Sequence, residues 1–294
     1  MRVGIMLIPE HRWAQAAPQW RAAERYGFDH AWTYDHIGWR SFVDSPWFSA
    51  MPTLTGAALV TERIELGTMV ASAAFRHPVP FAREVVHVDD VSGGRLLLGL
   101  GAGSMGAYDY AVRGEDPPTP KQKADRFIEF AEALAGLVHT DKFSYEGEYF
   151  TAVEARNLPG PTRQPGIPLL IAANGPRTMR LAASLGDGWI TTGRGGADAE
   201  EWWRGVTELA SAFDNALDKA GRDPGDVRRY LYADAGPAYS LTSVATFRET
   251  AERTKELGFT DLVVHWPRPE PPFAGDHAVL DELAGGVLDE VRAE

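Results

Sequence analysis

Eight times along the chain a short apolar run gives way to a longer helix-forming segment. The runs lie near Val3–Ile8, Asp29–Tyr34, Ile64–Val70, Leu96–Gly101, Pro168–Ala173, Gly188–Thr192, Arg229–Ala233 and Asp261–His265. Helical patterns follow at Ala14–Tyr26, Thr53–Thr61, Pro78–Val91, Lys121–Val138, Arg177–Leu185, Ala199–Ala220, Ser243–Leu257 and Ala278–Val291. Three of the helices end in glycine just before the next strand, at Gly27, Gly186 and Gly258, which is what a compact helix-to-strand connection needs. Eight such alternations in 294 residues predict an α/β fold, a (β/α)8 TIM barrel spanning residues 1–294 as one domain. An open doubly wound sheet would call for a glycine-rich fingerprint after its first strand, and Ile8-Pro9-Glu10-His11 has none. The interval of about 140–167 is too long for a simple connection. Phe143–Phe150 reads there as two β-prone runs around Glu-Gly-Glu, a hairpin inserted before the fifth strand.

A net charge of −12 argues against a broad nucleic-acid surface. No apolar run approaches the ~18 residues of a membrane span, and the first residues enter a strand without a signal-peptide cleavage site. The absence of cysteine removes disulfides and thiolate sites and fits a cytoplasmic protein. Of 29 basic residues only 5 are lysine, and arginine suits bidentate contact with a small anion.

Barrel chemistry sits at the carboxyl ends of strands, so the strand list becomes a site list. Asp35 and His36 follow the second strand, with Trp39, Phe42, Trp47 and Phe48 close behind. Phe75 and His77 follow the third, Gly101-Ala102-Gly103-Ser104 the fourth, and Ala173-Asn174-Gly175-Pro176-Arg177 the fifth. Thr191-Thr192-Gly193-Arg194 follow the sixth, Asp234 the seventh, and His265-Trp266 the eighth. Small residues let backbone approach a flat ligand, and Pro176 near a helix start marks free N–H groups and a dipole suited to a phosphate. The plainer readings are a tight turn for Gly-x-Gly, solvated surface for Arg177 and Arg194, helix entry for His77, structural packing for His87 and surface loops for His139 and His277. His265 is open between core and pocket, and Asp35 alone could be a helix cap. A metal hydrolase would gather His, Asp and Glu at more strand ends than these, so no metal is expected. The serine after Gly-Ala-Gly lacks nucleophile-elbow spacing.

Tyr34-Asp35-His36, Ile64–Val70, Gly94–Gly103, Pro168–Pro176 and Gly186–Ile190, in this order and spacing, carry a resemblance. The chain resembles the bacterial luciferase-like flavin and deazaflavin oxidoreductases, and within them the branch using coenzyme F420. The resemblance implies an insertion before strand five and a non-proline cis peptide at Met69–Val70, or one residue on at Ala71, behind the coenzyme ring. It implies Asp35 at the ring and His36 as acid/base, a role suited to an imidazole. Ala102–Ser104, Ala173–Arg177 and Thr191–Gly193 would hold ring, chain and phosphate. Ser104 stands where sugar-phosphate dehydrogenases of the branch carry an acidic Glu, and no lysine grip is evident. A small, less polar substrate against Trp39, Phe42, Trp47, Phe75 and Trp266 is therefore expected. The alternatives are an FMN-dependent monooxygenase fed by a partner reductase and a catalytically silent flavin-binding barrel. The family often forms dimers, so a homodimer is expected.

Overall fold

The computed structural model describes residues 1–103 and 108–293. Eight parallel strands close into a barrel: β1 Arg2–Leu7, β2 His30–Thr33, β3 Glu65–Ser72, β4 Leu96–Gly101, β7 Leu169–Ala172, β8 Gly188–Thr191, β9 Arg228–Tyr232 and β10 Asp261–His265. Their order round the barrel follows the chain, and β1 pairs with β10 to shut it. The hairpin of β5 (Lys142–Glu146) and β6 (Thr151–Arg156) stands outside the barrel, in the expected insertion. Its second strand starts after Phe150 rather than at Tyr149, because Gly147 N–H closes a turn on the Phe150 carbonyl.

Side chains alternate along each strand, and the alternation separates two cores. Val3, Ile5 and Leu7 of β1 face outward to the helices, as do Leu96, Leu98 and Leu100 of β4 and Leu262 and Val264 of β10. Met6, Trp32, Leu97, Leu170, Ile190 and Val263 fill the barrel interior. Glycine makes room where interior side chains are large. A Cβ on Gly67 would lie 2.3 Å from the Trp32 ring, and one on Gly99 would lie 2.1 Å from the Thr68 carbonyl oxygen. The β3–β4 register shifts between Thr68 and Ala71, and the Met69–Val70 peptide there is cis, as the resemblance implied. Met69 and Val70 both pack against the interior cluster, whereas Ala71 joins the outer core.

The helices follow the expected order with local differences. α1 is Trp13–Arg25, α2 Ala50–Val60 and α3 Pro78–Ser92. α2 starts before the Thr53 read from sequence, because Pro52 sits in its first turn, where a missing N–H costs nothing. His77 caps α3, accepting at Nδ1 from Val79 N–H. A short helix α4, Tyr108–Ala111, precedes α5, Pro120–His139, which opens with a capping box between Thr119 and Gln122. α6 is Pro176–Leu185, α7 Ala199–Ala220 and α8 Val244–Glu256. The last helical stretch breaks at Gly286 into α9, Ala278–Glu282, and α10, Leu288–Ala293. Gly27 and Gly258 take the left-handed cap conformation with φ +89° and +77°. Gly186 does not (φ −74°); it is needed because a Cβ would lie 2.9 Å from two carbonyl oxygens.

The Gly99 contact is with backbone of a paired strand, which cannot swing aside. Gly99→Ala should therefore cost about 1–3 kcal/mol of overpacking strain. A urea unfolding midpoint equal to that of the parent protein would show that the barrel absorbs the methyl group.

Candidate functional site

A cavity of about 780 Å³ opens at the carboxyl ends of the strands. Its two sides differ in kind. Gly101, Ala102, Gly103, Ala172, Ala173 and Gly175 form a slot of bare backbone on one side. Tyr34, His36, Trp39, Tyr232 and Phe273 face it from the other. Glycine sets the slot width. A Cβ on Gly101 would stand 2.2 Å from Val70 Cγ2, and one on Gly103 (φ +89°) would stand 2.8 Å from Ser72 Oγ. Asn174 staples the two loops beyond the slot: its Nδ2 donates to Gly193 O at 2.9 Å and its Oδ1 accepts from Thr191 Oγ1 at 2.7 Å. α6 starts at the end of the slot with Gly175 as N-cap and Pro176 next, and Thr178 of its first turn reaches the cavity. The first N–H groups of a helix have no intrahelical acceptor, so this end suits an anion. The slot and helix start fit a planar ring with a phosphate-bearing tail.

The polar groups of the rim hold one another. Asp35 is buried; it accepts Ser72 N–H at 2.9 Å and pairs with Arg76 at 2.9 Å. Burial pushes its carboxyl above the ordinary range, against the pull of Arg76. His36 Nδ1 meets Asp109 Oδ2 at 3.0 Å, and Asp109 Oδ1 accepts Ile37 N–H at 2.9 Å. Burial raises Asp109, but His36 and the Ile37 and Gly38 N–H groups outweigh it and hold the carboxyl below its ordinary range. An ionised carboxylate only accepts, so His36 Nδ1 carries the proton. Nε2 is left without a protein partner among the described residues.

Deeper in the wall, Tyr34 and Tyr232 join hydroxyls at 2.6 Å. Tyr34 stacks on Trp39 at 4.7 Å and on His265 at 6.1 Å, and His265 lies under Phe273 at 3.8 Å. His265 is fully buried, and burial lowers its pKa to about 3, so it is neutral, with Nδ1 donating to the Trp266 carbonyl at 2.9 Å. Asp234 accepts Ser240 N–H at 2.7 Å and His265 N–H at 2.5 Å, yet burial pushes its carboxyl up to about 6.

Several expected site residues stand elsewhere. Trp266 faces outward against Tyr26 and His277, because strand parity that turns His265 in turns its neighbour out. Phe75 lies beside a separate groove between α2 and α3, under Arg76. Phe42 and Trp47 are a layer behind Trp39, with Trp47 Nε1 donating to the His36 carbonyl at 2.7 Å. Asp35 braces β2 to β3 rather than lining the cavity, and Ala71 and Thr191 are buried behind it. Arg177 and Arg194 are paired with Asp125 and Glu208 and do not line the cavity. Pro176 starts α6 beside the cavity without lining it. Met69, Val70, Ala102, Gly103, Ala173, Asn174, Gly175, Thr192 and Gly193 do line the cavity, as do His36 and Trp39. Ser104 lies outside the described residues. Sequence reading missed Asp109, Tyr232 and Phe273. Inward parity on β9 could have found Tyr232; nothing local marked the other two.

The profile of the luciferase-like monooxygenase family matches residues 1–238. The chain is 32% identical over 273 residues to an F420-dependent hydroxymycolic acid dehydrogenase of Mycobacterium tuberculosis, covering 91% of this chain and 69% of that one. It is 31% identical over 213 residues to an F420-dependent glucose-6-phosphate dehydrogenase of Microbacterium testaceum, covering 70% of this chain and 59% of that one. The chain thus spans about three fifths to two thirds of the length of these two relatives. In fold it is similar to an F420-dependent secondary alcohol dehydrogenase solved with an F420–acetone adduct, at TM-score 0.79 and 19% identity, covering 97% of both chains.

Asp234 gives the site a measurable pH signature. Its folded pKa of about 6 lies above the ordinary 3.8. Between those values the folded protein keeps a proton that the unfolded chain has released, so stability falls as pH rises through that window. The loss approaches about 3 kcal/mol. Asp234→Asn lacks this titration, so its stability relative to the parent should improve by that amount from pH 4 to pH 7. Urea titrations showing a constant difference would mean that Asp234 is already ionised when folded.

Proposed function

The chain belongs to the luciferase-like monooxygenase family, and on that premise we propose that it is an F420-dependent oxidoreductase acting on a small, largely apolar alcohol or carbonyl compound. The observation that carries this reading is the pairing of a bare-backbone slot with the His36–Asp109 couple across one cavity. The F420 dependence of the similar dehydrogenases supports the choice of coenzyme.

Met69 and Val70 would back the coenzyme ring, Gly101–Gly103 and Ala173–Gly175 would flank it, and the start of α6 would take the phosphate. When bound, F420 supplies the hydride acceptor or donor. The protein supplies proton handling. Asp109 keeps the proton on Nδ1 of His36, so Nε2 takes the hydroxyl proton of an alcohol or returns it to a carbonyl oxygen. Trp39 and Phe273 make the apolar wall. The aromatic wall supports an uncharged substrate over a phosphorylated one. We further read residues 1–294 as one domain that forms a homodimer in the cytoplasm and works with a coenzyme-reducing enzyme. No helix among the described residues is long and apolar enough to cross a membrane.

Fluorescence titration should show oxidised F420 binding more tightly than FMN; the reverse order would overturn the coenzyme assignment. His36→Ala should lower turnover by about 10²–10⁴-fold while leaving F420 binding intact. Asp109→Asn should lower it by about 10–10²-fold through loss of the imidazole's fixed tautomer. Equal turnover in both variants and parent would remove the couple from the chemistry.

A further inference from the structure

Acid–base chemistry at His36 leaves the Tyr34–Tyr232 hydroxyl pair unused. Both rings line the cavity, both are only 5% exposed, and their oxygens are 2.6 Å apart. Each phenol carries one O–H. Their mutual bond uses one of the two, and the other O–H meets no further acceptor among the described residues. A buried donor left unmatched is unfavourable, so such a group is expected to serve a partner that comes and goes.

The rings themselves are held without help from the hydroxyls. Tyr34 is stacked between Trp39 and His265, Tyr232 meets its edge at 6.3 Å, and Phe273 closes the far face of His265. Phenylalanine at either position would keep that packing. Asp234, on the same wall, already accepts from Ser240 and His265 N–H groups. The His36 ring lies 6.5 Å from that of Tyr34, and His36, Tyr34 and Tyr232 line the same cavity.

We propose that the Tyr34–Tyr232 hydroxyl pair is a hydrogen-bond donor to the substrate oxygen, acting alongside His36. The proposal rests on the alcohol–carbonyl reading above. Two hydroxyls in series polarise each other, so the outer O–H is a stronger donor than a single phenol. Negative charge on the substrate oxygen is greater between alcohol and carbonyl than in either, so the donor favours the transition state. Both tyrosines keep their protons; the proton lost by an alcohol goes to His36 Nε2. A substrate with no oxygen on the reacting carbon leaves the donor unmatched and is selected against.

The test uses cyclohexanone as probe with Tyr34→Phe, Tyr232→Phe and the double variant. Infrared difference spectra should show the bound carbonyl stretch at lower frequency in the parent than in the double variant. The kcat/KM for cyclohexanone with reduced F420 should fall about 10²-fold in the double variant, with F420 affinity within twofold of the parent. Each single variant keeps one donor and should lose less. An unchanged stretch and kcat/KM in a folded double variant overturns the proposal, as does the lack of any bound-carbonyl signal in the parent. If the double variant does not fold, the stretch in the single variants decides. Failure of the parent to bind F420 would overturn the coenzyme reading instead, and the spectra on coenzyme-free protein would still decide the hydroxyl pair.

Discussion

The carboxylate of Asp261 holds the barrel shut. It is fully buried where the last strand meets the first. His30 of β2 reaches it at 2.9 Å, Arg228 of β9 at 3.2 Å and Arg2 of β1 at 3.6 Å. Burial would raise its pKa, but His30, Arg228 and Thr260 outweigh burial and hold it below the ordinary range. Trp32 Nε1 donates to His30 Nδ1 at 2.6 Å, which leaves the Nε2 proton for Asp261. Gly4 is part of the device, since a Cβ there would lie 1.8 Å from His30 Nδ1. Removing one member would strand a buried charge, which is far worse than never having had the group. The amino-terminal end of the barrel is thus closed by charge, and the carboxyl end is left open for a ligand.

That closure also sets what the rim presents. Strand side chains alternate, so Asp261 inward at the floor puts Val263 and His265 inward above it and Trp266 outward. By the same count His30, Trp32 and Tyr34 rise through β2, and Tyr230 and Tyr232 through β9. The aromatic wall of the mouth is the top layer of columns whose bottom layer is the buried ionic cluster. The shift on β3 breaks the count once, and it puts both Met69 and Val70 at the slot.

Where a residue's place depends on a local pattern, the sequence revealed it. The eight alternations, the inserted hairpin and the small-residue loops at Gly101–Gly103 and Ala173–Gly175 are all of that kind. Parity was also legible and would have moved Trp266 out of the site and brought Tyr232 in. Other placements are not local. Asp109 finds His36 across 73 residues of chain. Phe273 sits on His265 because Arg268 gathers its loop, bonding Glu10 at 2.7 Å and the carbonyls of Glu270 and Pro272 at 2.9 Å. Asp35 reads in the sequence as a contact to the coenzyme ring or a helix cap, but Arg76 and Ser72 N–H turn it into a brace between strands. Each outcome depends on which donor reaches which carboxylate after folding, and spacing does not encode that.

The two sides of the mouth therefore have different freedom to change. β3, β4, β7 and β8 offer the ligand mostly backbone, whose width is set by glycines packed against Val70, Ser72 and Trp202. A side chain added there closes the slot. β2, β9 and β10 offer rings, hydroxyls and an imidazole, and the rim carboxylates Asp35, Asp109 and Asp234 already accept from neighbouring N–H groups. Replacing one ring by another on that wall alters shape and hydrogen bonding while leaving the slot intact. The family profile covers the slot strands and most of the wall, Tyr34, His36, Trp39 and Tyr232 included, and leaves out β10 and the Phe273 loop. The slot, walled by backbone and paired strands, therefore has little room to vary, whereas the aromatic wall can change ring by ring without disturbing it.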